Sequence, residues 1–248
     1  MDPSLLINLH LPNSRQGPGD ASETQRAWNL IPVLPLKPKI ADIGCGSGAQ
    51  TLTLAQLTAG HITAVDLFPE FLARLEQDAQ EAGVADRIST LSCSMEALPF
   101  EAESFDVIWS EGAIYSMGFE NGVQQWRQYL KPGGYLAVSE ISWLTDSRPA
   151  ELEQFWLAAY PEIGTVEEKI AVMEKHGYEL MGHFVLPPSC WLENYYAPLE
   201  ARFDTYLEEQ GHSEEVRAVV ASEKEEIQLY RRFKEFYSYG FYVAKKRV

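Results

Sequence analysis

Short apolar runs alternate with amphipathic segments along most of the chain. The apolar runs predict strands at about 39–43, 61–66, 88–93, 105–109, 135–143, 178–186 and 239–244. The segments between several of them predict helices at about 21–30, 49–57, 69–82 and 123–130. Because strands that alternate with helices form parallel sheets, the pattern indicates an α/β fold with helices on both faces.

The segment that joins the first strand to the next helix contains glycines at alternate positions, Gly44, Gly46 and Gly48. Glycine permits a sharp turn and lets a ligand approach the backbone, because it has no Cβ. A strand–turn–helix unit of this kind brings backbone N–H groups and the positive helix end to the carboxyl edge of a sheet. The segment therefore predicts a ligand site.

Two acids strengthen this prediction. Asp42 comes two residues before the first glycine, and Asp66 ends the second strand. Asp66 lies at about the 20-residue spacing at which an acid in nucleotide-binding folds meets the ribose hydroxyls. Asp42 could instead be a core acid paired to the backbone, and Asp66 could be a helix N-cap because Pro69 follows closely.

The pattern D-x-G-x-G-x-G at residues 42–48 resembles the S-adenosylmethionine (SAM) site of class I methyltransferases. Nicotinamide dehydrogenases usually carry G-x-G-x-x-G without the preceding acid. The resemblance continues, in the family's order, through residues 94–100, 105–112 and 130–136, and covers about residues 37–143. It implies a Rossmann-like, doubly wound, seven-stranded sheet of order 3-2-1-4-5-7-6 whose last strand is antiparallel.

The resemblance also implies the residues that hold SAM. Asp42 would support the methionine amine, and Asp66 would bind the ribose. Ser94 stands where many relatives have an Asp that contacts adenine, so the Ser94 hydroxyl and Met95 are expected to replace that contact. The predicted cofactor-binding residues are Asp42, Gly44, Cys45, Gly46, Ser47, Gly48, Gln50, Asp66, Leu67, Ser94, Met95, Ser110, Glu111 and Gly17.

Three residues near the ends of the fourth and fifth strands are the predicted catalytic or acceptor-site residues: Glu111, Tyr115 and Trp143. A carboxylate at Glu111 could bind an amine, accept a proton, or be a solvated turn residue. The two aromatic residues could serve packing alone. None of the five histidines is predicted to be a base, and no metal site is predicted because no pair of cysteines has metal-ligand spacing.

Residues 1–36 are predicted to form an N-terminal lid and helix. Breakers concentrate before residue 20, with a Gly-Pro-Gly at residues 17–19 that the nearest resembling proteins, uncharacterised prokaryotic methyltransferases, also carry. Small-molecule methyltransferases often fold such a segment over the cofactor, although a plain loop is the alternative.

The remaining segments complete one methyltransferase domain over residues 1–248, with a SAM-binding core at 37–143. Residues 144–176 and 187–238 are predicted helical cap elements beside the carboxyl edge, or a subunit interface. The last strands are assigned to 177–186 and 239–248.

Composition narrows the partners and the location. The formal net charge of −16 disfavours nucleic acid and favours a neutral or cationic small-molecule acceptor. The chain has no secretory signal and no apolar run of about 20 residues, so no membrane association is expected. Its three cysteines indicate reduced thiols and a cytoplasmic protein. A homodimer is predicted as the alternative in which the cap elements form a subunit interface.

The sequence therefore predicts a SAM-dependent methyltransferase that acts on an unidentified small molecule. Methyl transfer from a sulfonium requires positioning rather than a metal or a covalent nucleophile. One alternative is a non-catalytic SAM- or S-adenosylhomocysteine-binding oligomeric protein, since no catalytic base is evident. The other is an NAD-dependent oxidoreductase, which the spacing of the glycines disfavours.

Overall fold

The computed structural model describes residues 2–248. Within this range, one mixed sheet contains eight strands: β1 (Lys39–Ile43), β2 (His61–Asp66), β3 (Ile88–Ser92), β4 (Phe105–Glu111), β5 (Leu130–Trp143), β6 (Gly164–Thr165), β7 (Tyr178–Val185) and β8 (Tyr237–Lys246). The order is β3-β2-β1-β4-β5-β8-β7, and the two-residue β6 pairs with the end of β5. Strands β1 to β5 are parallel, whereas β8 runs antiparallel to both β5 and β7. The predicted order and the antiparallel last strand are confirmed, and β6 is an additional strand.

Helices connect and flank these strands. They are α1 (Pro3–His10), α2 (Ala21–Trp28), α3 (Ala49–Leu57), α4 (Pro69–Glu81), α5 (Phe119–Trp126), α6 (Ala150–Ala159), α7 (Val166–Lys175), α8 (Pro188–Trp191), α9 (Ala197–Glu209) and α10 (Glu214–Phe233). A π-helical turn, Leu192–Tyr196, joins α8 to α9. Short 3-10 turns occupy Ala85–Arg87, Ile114–Met117 and Arg127–Tyr129.

The sheet is buried on both faces, which explains its nearly continuous apolar strands. Successive residues of β1 point to opposite faces, so Ile40 joins one apolar cluster and Ala41 the other. The β4 residues Trp109 and Ile108 divide between the same two clusters.

Two predicted strand boundaries were wrong. β4 continues through Glu111, so Ser110 and Glu111 are strand residues, paired with β5 at Val138 and Ser139. β5 begins at Leu130 rather than at Tyr135, and its pairing with β4 shifts between Phe105 and Val107. This bulge accommodates the glycine-containing turn at 131–134 within the strand instead of before it.

The two long insertions are helical. The first carries α6 and α7, and the second carries α8, the π-helical turn, α9 and α10. The second insertion packs against the N-terminal helix: the Tyr206 hydroxyl donates a hydrogen bond to the Leu5 carbonyl at 3.0 Å. Among residues 2–248, no helix has both the length and the apolar character that crossing a membrane requires.

Candidate active site

A cavity of about 310 Å³ lies at the carboxyl edge of the sheet. The strand order reverses between β1 and β4, and such a reversal leaves a crevice beyond the carboxyl ends of the strands. The turn after β1, the ends of β2, β3 and β4, and residues 15–18 of the N-terminal segment line this cavity. The topology thus brings together four strand ends and a segment that is distant in sequence.

The glycine turn after β1 needs its glycines for two reasons. Gly44 and Gly48 have φ angles of +72° and +86°, in the left-handed region that disfavours other residues. A Cβ at Gly44 would lie 2.3 Å from the Ala113 Cβ, and one at Gly48 would lie 2.2 Å from Leu75 Cδ1. Gly44 lines the cavity, whereas Gly48 lies outside it and allows α3 to pack on α4.

Asp66 lines the cavity and braces the glycine turn. Its Oδ2 accepts a hydrogen bond from the Gly46 N–H at 2.9 Å, and its Oδ1 accepts one from the Phe68 N–H at 3.0 Å. Burial raises the pKa of Asp66, and the hydrogen bonds from Phe68, Gly46 and Leu67 oppose that shift. Phe68, not Asp66, is the N-cap residue of α4. The carboxylate at the end of β2 is therefore positioned to receive hydroxyl groups of a ligand.

Asp42 lies behind the cavity rather than in its wall. Its carboxylate is fully buried and accepts hydrogen bonds from Thr51 Oγ1 at 2.5 Å and Gln50 Nε2 at 3.3 Å. Burial raises the pKa of Asp42 to about 7, opposed by the Thr51 hydrogen bond. Gln50 itself lines the cavity, so Asp42 reaches a ligand only by orienting this amide. Asp42 is therefore a core acid, as the alternative expected, but its partners are side chains and not the backbone.

The adenine side of the predicted site forms a largely apolar wall. Leu67, Ser94 and Met95 all line the cavity, and Leu67 is 57% exposed. The Ser94 hydroxyl accepts a hydrogen bond from the Glu96 N–H at 3.2 Å. Phe71 completes the wall and was not predicted as a site residue.

Glu111 ties the end of β4 to the N-terminal segment. Its Oε1 accepts hydrogen bonds from Trp109 Nε1 at 2.9 Å and Thr24 Oγ1 at 2.7 Å. Its Oε2 lies 3.5 Å from Arg15 Nη1. The side chain is only 6% exposed, so Glu111 is not a solvated turn residue. Ser110 points elsewhere: its buried hydroxyl has no hydrogen-bond partner among residues 2–248, and it does not line the cavity.

The two predicted aromatic acceptor residues differ in position. Tyr115 lines the cavity and is 46% exposed. Trp143 is buried in the core, where its ring centroid lies 6.4 Å from that of Tyr237 and the Arg148 guanidinium lies 4.3 Å above it. The strand end was predicted correctly, but the side chain points to the packed face and not to the cavity.

The N-terminal segment docks directly on the glycine turn. Gln16 Oε1 accepts hydrogen bonds from the Ser47 N–H at 2.8 Å and the Ser47 hydroxyl at 3.0 Å. Asn194 Nδ2 donates to the Gly19 carbonyl at 2.9 Å and holds the other end of the segment. Ser47 is thereby turned toward Gln16 and lies outside the cavity lining, whereas Gly17 lies within it.

Some cavity residues escaped sequence analysis. Arg15, Gln16 and Pro18 flank the predicted Gly17 contact, so only proximity to the Gly-Pro-Gly could have indicated them.

Cys45, Gly46 and Gln50 were predicted as cofactor-binding residues, and all three line the cavity. Burial raises the pKa of the Cys45 thiol well above its usual range, so this group is not a ready nucleophile.

The lining fits a nucleoside with a charged, flexible tail. Asp66 can receive ribose hydroxyls, the Leu67–Met95 wall can hold a flat ring, and the glycine turn leaves backbone exposed to the tail. Carboxylates of Asp66 and Glu111 suit a cationic group better than an anionic one. Within the described chain, no cluster of three or more His, Cys, Asp or Glu side chains could hold a metal ion.

Part of the chain that forms this cavity resembles known methyltransferases. A family model for a methyltransferase domain matches residues 41–138. A sterol 24-C-methyltransferase of Gibberella zeae is 27% identical over 160 residues, which are 60% of this chain and 42% of the relative. A sarcosine/dimethylglycine N-methyltransferase of Aphanothece halophytica is 29% identical over 159 residues, 63% of this chain and 57% of the relative. The chain thus spans about half the length of the curated relatives it matches.

Among solved structures, a SAM-dependent methyltransferase from Geobacter sulfurreducens in complex with S-adenosyl-L-homocysteine has a TM-score of 0.86. The superposition covers 99% of this chain and 98% of the Geobacter chain, at 20% sequence identity. At this identity, the likeness shows the fold alone. The matched domain begins within β1 and ends within β5, and it contains the glycine turn, Asp66 and Glu111. Residues 41–138 therefore form a methyltransferase domain, within a chain that has the fold of S-adenosylmethionine-dependent methyltransferases.

Proposed function

We propose that this protein transfers a methyl group from SAM to a small-molecule acceptor in the cavity at the β1/β4 edge. One observation carries the proposal: a single cavity joins the glycine turn and Asp66 on one side to Glu111 and Tyr115 on the other. The first pair suits a nucleoside cofactor, and the second pair offers polar and aromatic contacts to a second molecule. Donor and acceptor would therefore meet in one cavity.

The cofactor side follows from the hydrogen-bonding groups. Asp66 would receive the ribose hydroxyls while keeping its bond to the Gly46 N–H. Leu67 and Met95 would pack on the adenine ring, and Gln50, oriented by Asp42, would face the methionine part. SAM when bound supplies a sulfonium methyl group that a nucleophile can take without help from a metal.

The protein's own contribution is to orient the reactants and exclude water. Arg15, Gln16 and Pro18 close the cavity from the N-terminal side. Gln16 holds Ser47, and Arg15 lies beside Glu111, so both edges of this segment are tied down. These ties support the lid interpretation of residues 10–20 over the plain loop, with opening needed for ligand exchange.

The relatives of this chain do not agree on a methyl acceptor. One is named as a sterol 24-C-methyltransferase and another as a sarcosine/dimethylglycine N-methyltransferase. Glu111 already accepts two hydrogen bonds on one oxygen, which suits an orienting group better than a free base. We further propose a cytoplasmic location, since Cys45, Cys93 and Cys190 are all free. A homodimer, with the cap elements at 144–176 and 187–238 as its interface, stays a prediction.

The decisive experiment combines binding with turnover. Purified protein is titrated calorimetrically with S-adenosylhomocysteine and with NAD, then incubated with methyl-labelled SAM and a panel of small amines, alcohols, phenols and thiols. We expect S-adenosylhomocysteine to bind, NAD not to bind, and label to enter at least one acceptor. Binding without any transfer would favour the non-catalytic alternative, and preferential NAD binding would contradict the family's cofactor in this chain.

A further inference from the structure

A group of polar and aromatic side chains lies beyond the cofactor cavity, between the sheet edge and helices α1 and α10. We call it the tyrosine–glutamate cluster; its members are His10, Tyr115, Tyr195, Glu223, Glu226 and Tyr239. Tyr115 lines the cavity itself. The Tyr239 ring lies 3.1 Å from the position that a Cβ on the cavity residue Gly112 would occupy. The cluster is therefore adjacent to the proposed acceptor side.

The two carboxylates of the cluster are only partly paired. Glu223 and Glu226 are one turn apart on α10. His10 Nε2 lies 3.4 Å from Glu223 Oε1, while Glu223 Oε2 is buried without a hydrogen-bond partner in the described chain. The Tyr196 hydroxyl donates to Glu226 Oε1 at 2.9 Å. Since buried acceptors are normally satisfied, the free oxygen indicates a missing donor.

Two tyrosines of the cluster are also largely buried. Tyr195 and Tyr239 are only 8% and 9% exposed. Burial raises the pKa of Tyr195 well above its usual range, and the charges of Glu223 and Glu226 raise it further. Burial likewise raises the pKa of Tyr239 well above its usual range. Electrostatic interactions with Tyr115, Glu140 and Glu226 raise it further. These hydroxyls remain protonated and present neutral oxygens next to the carboxylates.

The charge balance of this region is negative. Burial raises the pKa of Glu226 and the charge of Glu223 raises it further, so Glu223 is the more readily ionised of the two carboxylates. The cation that faces Glu223 is at most one imidazolium, that of His10. Cations near the adjoining carboxylates have partners of their own: Arg15 lies 3.5 Å from Glu111, and Lys169 lies 3.2 Å from Glu140. An anionic ligand would be repelled here, whereas a cation would gain Coulomb attraction and contact with aromatic faces.

We propose that the methyl acceptor carries a cationic amine and that the tyrosine–glutamate cluster binds this amine. An ammonium group is the donor that the unpartnered Glu223 oxygen lacks, and the tyrosine oxygens offer further acceptors. A neutral alcohol would satisfy the hydrogen bonds without offsetting the negative charge, and a carboxylate or phosphate would do neither. This inference rests on the proposed function, because it assigns the substrate class of the same site.

The test uses three probes of matched shape: benzylamine as a cation, benzyl alcohol as a neutral group and benzoate as an anion. Each is titrated calorimetrically into protein saturated with S-adenosylhomocysteine. We expect benzylamine to bind at least about 10-fold more tightly than benzyl alcohol, and benzoate to bind most weakly, as one charge-assisted hydrogen bond implies. Equal affinities for benzylamine and benzyl alcohol would overturn the inference. So would the absence of benzylamine binding at a concentration of about 10 mM.

Matched variants locate the effect. Glu223→Gln should weaken the binding of benzylamine by about 10-fold or more. The affinities for benzyl alcohol and S-adenosylhomocysteine should be unchanged. Glu225→Gln removes an equal charge from the exposed face of the same helix and should change none of the three affinities. Equal losses in both variants would mean that only general charge attracts the amine, which would overturn the assignment to this cluster.

The two proposals fail in different ways. If wild-type protein does not bind S-adenosylhomocysteine, the proposed function fails before any probe is added. If it binds S-adenosylhomocysteine and methylates a neutral acceptor, but shows no preference for benzylamine, only the amine assignment fails. Retained S-adenosylhomocysteine binding in Glu223→Gln also shows that the variant is folded.

Discussion

Replacing Asp66 with asparagine tests the centre of the site, because this carboxylate serves both the fold and the ligand. Its two oxygens each accept a backbone N–H, from Gly46 at 2.9 Å and from Phe68 at 3.0 Å. Asparagine keeps one acceptor oxygen but places an NH₂ group against the other N–H. The isosteric shape should preserve the packing, but the observed bonds predict that the variant is less stable.

The expected loss can be worked from these contacts. A backbone donor left unsatisfied costs about 1–3 kcal/mol of the free energy of unfolding. Burial raises the pKa of Asp66, so removing its charge returns part of that desolvation cost and places the expected loss in the lower half of the range. For a chain of this size, 1–2 kcal/mol corresponds to a fall in Tm of roughly 2–8 °C. Affinity for S-adenosylhomocysteine should fall further, by about 10- to 150-fold, because the ribose loses a charged partner.

Urea or thermal unfolding and isothermal calorimetry with S-adenosylhomocysteine measure the two effects separately. Asp78→Asn is the matched control: Asp78 pairs with Arg74 across one turn of the surface of α4. That variant should change stability by less than about 1 kcal/mol and leave ligand affinity unchanged. Unaltered Tm and unaltered affinity in Asp66→Asn would refute both assigned roles of this carboxylate.

Three further predictions address neighbouring residues. Burial raises the pKa of Asp42 from 3.8 to about 7, so stability should fall by up to about 4 kcal/mol as pH rises through this window, and Asp42→Asn should remove that slope in urea titrations. Glu111→Gln weakens the contacts to the N-terminal segment and should speed amide exchange of residues 10–20 by roughly 10-fold. Gly48→Ala should cost about 2–5 kcal/mol in unfolding free energy, because its Cβ would meet Leu75 at a φ of +86°.

Each of these three predictions has a control variant. Two controls replace exposed residues, and the third is at a glycine that has room for a Cβ. Asp86→Asn should keep the wild-type pH slope, and Glu96→Gln should leave exchange of the N-terminal segment unchanged. Gly83→Ala has a similar φ of +69° but nothing within 4 Å of the new Cβ, so only about 1–2 kcal/mol of backbone strain is expected. The Asp42 prediction fails if Asp42→Asn keeps the wild-type dependence of stability on pH. The Glu111 prediction fails if residues 10–20 exchange at the same rate in Glu111→Gln and in the wild type. The Gly48 prediction fails if Gly48→Ala and Gly83→Ala lose the same unfolding free energy.

Local patterns were sufficient for much of this protein. Apolar periodicity and the glycine turn located the strands around the site to within a few residues, because burial inside a sheet imposes its period on each segment. The position of Asp66 could also be predicted, since the end of β2 lies beside the end of β1 in any parallel unit of this kind. The strand order came from the resemblance of four ordered motifs.

Side-chain direction at the strand ends was a different matter. Trp143 ends β5 at the expected edge, yet it points into the core against Tyr237. Asp42 lies one layer behind the cavity, where Thr51 and Gln50 surround it. The length of β4 and the bulge in β5 decide which residues face the cavity, and neither leaves a distinct period in the sequence.

By itself, then, the sequence determined the elements, the glycine turn and the family resemblance, because these depend on residues close together in the chain. Only the tertiary structure decided how the N-terminal segment docks and what surrounds the acceptor side. Gln16 reaches Ser47 and His10 reaches Glu223 across 31 and 213 residues of sequence. Such contacts follow from how helices pack beside the sheet, and this packing depends on the whole core rather than on any local pattern.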